Sequence, residues 1–157
     1  MRLLADIEGN DLLYGITNIW CVCFIDQDSG QEWDFTPDNL DNLPRFLVEN
    51  KPSELVFHNG IGFDLPALKK ILKIDYTIEP DTLLDFKCKH IDTLLLSKIL
   101  NPDRDGHSLE DWGNRLGYPK GNYSDWSRFT PEMLEYCKRD VKLLGRVLNV
   151  LEREMNV

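Results

Sequence analysis

The chain has 157 residues, 42% of them hydrophobic and 10% aromatic, which suffices for one ordinary core and excludes both intrinsic disorder and a multidomain machine. The 18 Lys and Arg against 27 Asp and Glu leave a net charge of −9. That balance excludes a protein that coats nucleic acid by excess positive charge, so any contact with a polyanion has to be local or metal-mediated.

Arg2 to Glu8 alternates as a half-buried strand, with Leu3, Ala5 and Ile7 on one face and Leu4, Asp6 and Glu8 on the other. Asn18 to Ile25 is rich in β-branched, aromatic and Cys residues and precedes the turn-forming run Asp26 to Gly30 and a short strand at Glu32 to Phe35. This predicts an antiparallel hairpin after the first strand. Thr36-Pro37 and Pro44 read as helix-opening residues, so a helix is expected over Asp38 to Asn50 with Phe46, Leu47 and Val48 packed inward, stopped by Lys51-Pro52-Ser53.

Glu54 to His58 reads as a short apolar strand and Asn59-Gly60 as a turn; Pro66 marks the first turn of a helix to about Leu72, with Asp64 at its start. A weaker strand is expected at Lys87 to Ile91, then a helix from Thr93 to Leu100. Ser108-Leu109-Glu110-Asp111 opens a short helix that Gly117 ends. Tyr118 to Phe129 reads as a loop. Thr130-Pro131 opens the last helix, along which Val141, Leu144, Val147, Leu148 and Leu151 recur at helical spacing. A hairpin followed by alternating helices and strands predicts one α/β domain over residues 1–157, a mixed sheet with helices on its faces.

The cysteines at 21, 23, 88 and 137 contain no paired C-x-x-C elements, so core packing in a reduced, cytoplasmic protein is expected rather than a zinc knuckle. No apolar run approaches the ~20 residues needed to span a bilayer, and Arg2, Asp6 and Glu8 would interrupt a signal-peptide core, so no membrane partner is expected.

Three carboxylate signals carry the chemistry. Asp6 and Glu8, two apart on a strand, lie roughly 6–7 Å from each other on one face and can serve the same cation or neighbouring ones. With 17 Asp and 10 Glu in the chain, chance supplies about one Asp-x-Glu, and a solvent-facing strand is the alternative. An interior first strand shifts the balance, because two carboxylates on it repel each other unless a cation or hydrogen-bond donors compensate them. Asp64 ends a glycine-permissive loop, His58-Asn59-Gly60-Ile61-Gly62-Phe63, as a helix N-cap, as a metal ligand through water, or as both. Tyr136 and Asp140, four apart, share one helix face; a packed Tyr beside an exposed Asp is the alternative.

Asp6-Ile7-Glu8, then Asn59 with Phe63-Asp64, then Tyr136-x-x-x-Asp140 resemble, in order and spacing, the three exonuclease motifs of the DEDD superfamily, Tyr-containing subclass. The similarity is greatest to the proofreading domains of phage-type family A DNA polymerases. Val56 to Gly60, Ile91-Asp92-Thr93-Leu94 and His107 to Gly117 resemble the same group, so the likeness covers essentially the whole chain. The departures are a short segment between Gly117 and the last helix and the lack of a following polymerase domain, as expected of either a stand-alone nuclease or an excised domain.

The resemblance implies a ribonuclease H-like exonuclease fold with a mixed five-stranded sheet. It further implies a 3′–5′ exonuclease that releases nucleoside monophosphates from single-stranded or frayed DNA with two Mg²⁺ or Mn²⁺ ions. Asp6 would bridge both ions, Glu8 and Asp140 would complete the nucleophile-side site, and Asp64 would hold the second largely through water. Tyr136 would orient the attacking water; Leu12, His58 and Asn59 would bind substrate, Leu12 as an apolar wedge, with a core Leu as its alternative. A DNA polymerase is an implied partner, and a phage origin would place the chain in the host cytoplasm.

An exoribonuclease and a catalytically silent nucleic-acid- or polymerase-binding module stand as alternatives. Lys69, Lys70, Lys73, Lys138 and Arg139 offer local positive charge or ordinary solvated faces. Trp112 and Trp126 are read as core or loop anchors that could also stack bases.

Overall fold

The computed structural model describes residues 1–74 and 88–156. Its strands are β1 (Arg2–Gly9), β2 (Ile19–Asp26), β3 (Glu32–Phe35), β4 (Glu54–Phe57) and β5 (Lys89–Asp92). The α-helices are α1 (Leu43–Asn50), α2 (Leu65–Leu72), α3 (Thr93–Leu100), α4 (Leu109–Leu116) and α5 (Pro131–Met155). The sheet runs β3-β2-β1-β4-β5; β1, β2 and β3 pair antiparallel, while β4 lies parallel to β1 and β5 parallel to β4. This is the expected α/β, mixed five-stranded architecture, with β1 at its centre. Among the described residues no helix is long and apolar enough to cross a membrane.

The two-residue period of β1 sorts the core into layers. Leu3, Ala5 and Ile7 face a cluster that includes Leu43 and Leu47 of α1 and Ala67 and Leu68 of α2. Leu4 faces Met133, Val141, Leu144 and Leu148 of α5, with Cys21, Cys23 and Cys137 packed between. These three thiols are buried and serve as small apolar filler, as expected. Trp112 of α4 anchors a third cluster with Leu143, Val147 and Leu151. A glycine sets how closely α5 can approach the sheet, since a Cβ at Gly145 would lie 2.9 Å from Leu4 Cδ1.

Caps close the elements where the sequence places them. Ser108 accepts from the Asp111 amide, Thr130 accepts from the Met133 amide, and Gly117 ends α4 at φ 69°. Two expectations need correction, and a third falls partly outside the described residues. A 3₁₀ turn at Leu40–Asn42 precedes α1, and within α1 Leu43 and Leu47, four apart, share the buried face while Val48, about 100° round the helix from Leu47, is exposed. The fifth strand begins at Lys89; its expected start, Lys87, lies outside the described residues. The helix expected from Pro66 is preceded by a π-helical turn, Gly60–Asp64, and Asp64 makes no side-chain cap hydrogen bond.

Candidate active site

The parallel pairing of β1 with β4 ends at Leu4 opposite Val56, which leaves Asp6 to Glu8 at the mouth of a crevice beyond the carboxyl ends of β4 and β5. Crevices of this kind are the usual ligand sites of open α/β sheets. The register of β1 against β2 also slips between Glu8 and Gly9, a bulge that bends the strand end where the carboxylates project.

Into this crevice the π turn delivers Asp64. The turn starts at Asn59, in the left-handed region at φ 67°, and is tied down by Asp92, whose carboxylate accepts from the amides of Asn59 (2.9 Å), Ile61 (3.3 Å) and Leu94 (3.0 Å). Asp92 thus fastens the turn and the start of α3 at once. From the opposite side α5 presents Tyr136 and Asp140 one turn apart.

The four carboxylates meet electrostatically. Burial first, then Asp140, pushes Asp6 up to about 8; burial and then Asp6 push Glu8 up to about 11. Asp64 is raised well above the usual carboxylate range by burial and by Asp6, although the backbone amides of Asp64 and Ile7 oppose the shift. Asp140 rises to about 6, mainly by burial, with Lys120 pulling the other way. Among the described residues, Asp6 Oδ2 and Asp140 Oδ1 are buried with no hydrogen-bond partner. Buried, orphaned carboxylate oxygens pointing into one acidic crevice are what a hard dication satisfies, and the donor set fits Mg²⁺ or Mn²⁺. A Cys137 sulfur also lies within 4.8 Å of Asp6 and Glu8 oxygens. Its thiol, however, is directed to the Asp6 carbonyl at 3.5 Å and is held protonated by burial, so the oxygens remain the ligands that fit.

One residue of this site escaped sequence reasoning. Lys120 places Nζ 3.2 Å from Asp140 Oδ2 and 5.1 Å from the centroid of the Tyr136 ring. Burial alone would lower its pKa, but Asp140 and Tyr136 outweigh that and hold the ammonium above its ordinary range. It is a built-in counter-charge to the acids. In sequence it is a lone Lys in an aperiodic loop, with no spacing to mark it.

Beside the carboxylates, a cleft of about 410 Å³ is lined by Ile7, Glu8, Leu12, Phe63 and Trp126. Leu12 is 78% exposed, so the core alternative for it falls. Trp126 is a loop anchor, its carbonyl accepting from Trp20 Nε1 at 2.9 Å, and it also forms the cleft wall edge-on to Tyr136. Trp112 is core, 1% exposed.

His58 departs from the substrate-binding expectation. Its Nδ1 lies 2.8 Å from Thr93 Oγ1 and its Nε2 2.8 Å from the His107 carbonyl, and burial lowers its pKa to about 4. Both ring nitrogens are committed to joining β4 to α3 and the segment before α4. Asn59 keeps its side chain exposed at the rim. Of the basic candidates, Lys138 pairs with Asp34 at 2.9 Å, and Lys70 donates to the Leu13 and Tyr14 carbonyls in the loop that carries Leu12.

No protein-family model matches the chain. In sequence it is 31% identical over 187 aligned positions to the DNA-directed DNA polymerase of Enterobacteria phage T3, and 29% identical over 189 to that of Escherichia phage T7, covering 95% of this chain in each case. The chain spans about a quarter of those proteins (26% of each). In fold it matches Brucella melitensis NrnC with a TM-score of 0.66 at 22% identity, over 99% of this chain and 73% of that one. NrnC has been solved with bound Mg²⁺ and bound to pGG. The Phi29 DNA polymerase, in complex with primer-template DNA, matches with a TM-score of 0.64 at 13% identity, over 97% of this chain and 31% of that one. In sequence and in fold alike, the chain resembles the DEDD 3′–5′ exonucleases of the kind that serve as polymerase proofreading domains.

Proposed function

We propose that residues 1–157 act as one metal-dependent 3′–5′ exonuclease domain that hydrolyses the terminal phosphodiester of single-stranded or frayed DNA and releases nucleoside monophosphates. The observation that carries this is the meeting of Asp6, Glu8, Asp64 and Asp140 in one crevice, with two buried oxygens left without partners. DNA rather than RNA is favoured because the curated relatives are DNA polymerases.

Asp6, Glu8, Asp64 and Asp140 would hold two Mg²⁺ or Mn²⁺ ions, which when bound lower the pKa of a water and offset phosphate charge. The rest is the work of side chains. Burial holds the Tyr136 phenol above its ordinary pKa, so at neutral pH it stays protonated and orients the attacking water by hydrogen bonding rather than taking its proton. Leu12, exposed on one side of the cleft, would wedge against the terminal base, with Phe63 and Trp126 as apolar walls. Lys120 stabilises Asp140 in its ionised form, ready to ligate.

The test uses 5′-labelled DNA and RNA oligonucleotides of matched sequence, incubated with Mg²⁺, with EDTA, and with an Asp6→Ala variant. A 3′-directed ladder on DNA that vanishes in both controls is expected. A ladder on RNA alone would reassign the substrate, and no cleavage under any condition would leave only a binding module.

A further inference from the structure

The exposed face of α5 carries a charge pattern opposite to that of the chain as a whole. Positions 139, 142, 146, 149 and 153 fall at alternating spacings of three and four, one face of a helix, and they hold Arg, Lys, Arg, Asn and Arg with no acid among them. At 1.5 Å per residue this stripe is about 21 Å long. The acids of the last turns are consumed elsewhere, Glu152 by Arg2 and Glu154 by Arg104.

At the centre of the stripe, Arg139 and Arg146 each place a guanidinium carbon 4.1 Å from the centroid of the Tyr118 ring, and among the described residues neither is ion-paired. Lys142, between them, is exposed and also without a counter-ion there. With Arg146, Asn149 and Tyr118 it lines a cavity of about 330 Å³ in which Asp26 is the one carboxylate among the described residues. Two guanidiniums gathered at one ring, with a third cation lining the adjoining cavity, repel each other. A ring fixing two guanidiniums while leaving donors free is arranged for anionic oxygens.

We propose that Arg139, Lys142 and Arg146, organised around Tyr118, form a phosphate track that grips the single strand leaving the catalytic crevice. This rests on the nuclease reading above and deepens it. Continuity with the crevice singles out a nucleic acid over an acidic protein. Arg139 donates to the Pro119 carbonyl at 2.6 Å, and Tyr118-Pro119-Lys120 leads from the track straight to the Lys120–Asp140 pair. Flexible strands passing that way exchange counterions for side chains, which makes the grip salt-dependent.

The test compares wild type with Lys142→Gln and Lys142→Gln/Arg146→Gln, neither residue being part of the catalytic set. Binding of a long single-stranded DNA is followed by fluorescence anisotropy in EDTA across a salt series, and cleavage of that strand and of a dinucleotide is followed in Mn²⁺. The double variant is expected to lower the slope of log K against log salt by about 1.4, roughly 0.7 per lost phosphate contact. It should raise KM for the long strand about 5–10-fold and leave dinucleotide turnover unchanged. The single variant, which changes an exposed side chain that makes no hydrogen bond or ion pair among the described residues, should show half the slope change and guards against a folding defect.

An unchanged slope with wild-type affinity overturns the track, whether or not the protein cleaves; pull-down of an acidic protein by the same face would then identify the alternative partner. A wild type that binds with the expected slope but cleaves neither substrate overturns the nuclease reading and keeps the track.

Discussion

Replacing Lys120 by Gln removes the protein's own cation from a cluster of four acids, and its effect should depend on whether a metal is present. Two unit charges 3.2 Å apart interact by about 5 kcal/mol at an effective dielectric near 20. Stripping one partner from a buried pair costs about 3–5 kcal/mol; because the Lys120 side chain is 25% exposed, solvent screening reduces the expected loss to about 2–3 kcal/mol. For a chain of this length that lowers the unfolding midpoint by about 5–10 °C. The measurement is thermal unfolding by circular dichroism at pH 8, where Asp140 is ionised, in EDTA and in saturating Mn²⁺. In EDTA the variant should melt well below wild type. In Mn²⁺ the dication supplies the missing positive charge, and the gap should shrink to less than half. A variant that melts with wild type in EDTA, or a gap that metal leaves untouched, would refute the assignment of Lys120 as counter-charge to the proposed metal ligands.

Raised carboxylate pKa values mean that the folded, metal-free protein binds more protons than the unfolded chain from about pH 4 upward. The stability these carboxylates contribute is therefore fully present below about pH 4 and is lost as pH rises through 6, where Asp140 titrates, to 8, where Asp6 does; calorimetry in EDTA should show that fall, and saturating Mn²⁺ should abolish it. Asp140→Ala should lose both cleavage and the Mn²⁺-induced rise in melting temperature, whereas Tyr136→Phe should keep the rise and lose only part of the rate in single-turnover assays. Asp92→Ala leaves the Asn59, Ile61 and Leu94 amides without their acceptor and should cost about 2–4 kcal/mol in urea unfolding, with partial rescue in Asp92→Asn. Leu12→Ala, at an exposed position, should change stability by less than about 0.5 kcal/mol while raising KM for oligonucleotides; a wild-type KM would remove Leu12 from the binding cleft.

What the sequence discloses is what short-range periodicity controls. A two-residue repeat is enough to put Asp6 and Glu8 on the face of β1 opposite Leu3 and Ala5, and a four-residue repeat is enough to join Tyr136 to Asp140. Ser108, Gly117, Thr130 and Pro131 mark helix ends because capping is a local reaction of a side chain with the nearest amides. The misreadings come where a local rule has a tertiary competitor. Asp64 stands at a helix start like a cap, yet its carboxylate turns to the crevice, because the π turn Gly60–Asp64 runs straight into α2 with Asp64 itself in helical conformation, φ −62°, which leaves no open helix end there to cap. Val48 faces water because the core takes Leu43 and Leu47 as the buried face of α1, and Val48 lies about 100° round the helix from Leu47. Lys120 and the clamp around Tyr118 lie in a stretch with no period at all, where only the folded chain brings them to α5.

Net charge shows the same divide between an average and a place. A total of −9 excludes adhesion of nucleic acid to the whole surface, but electrostatics at physiological salt reaches only about 8 Å. Within that radius a phosphate beside Tyr118 meets Arg139, Lys142 and Arg146 and little of the acid on β3 or α1, and a phosphate at the crevice meets carboxylates whose charge a pair of dications would neutralise. An acidic chain can therefore hold a polyanion at two adjoining places for two different reasons. They separate experimentally: raising salt should weaken the strand's grip along α5 and leave the metal-dependent melting shift nearly unchanged.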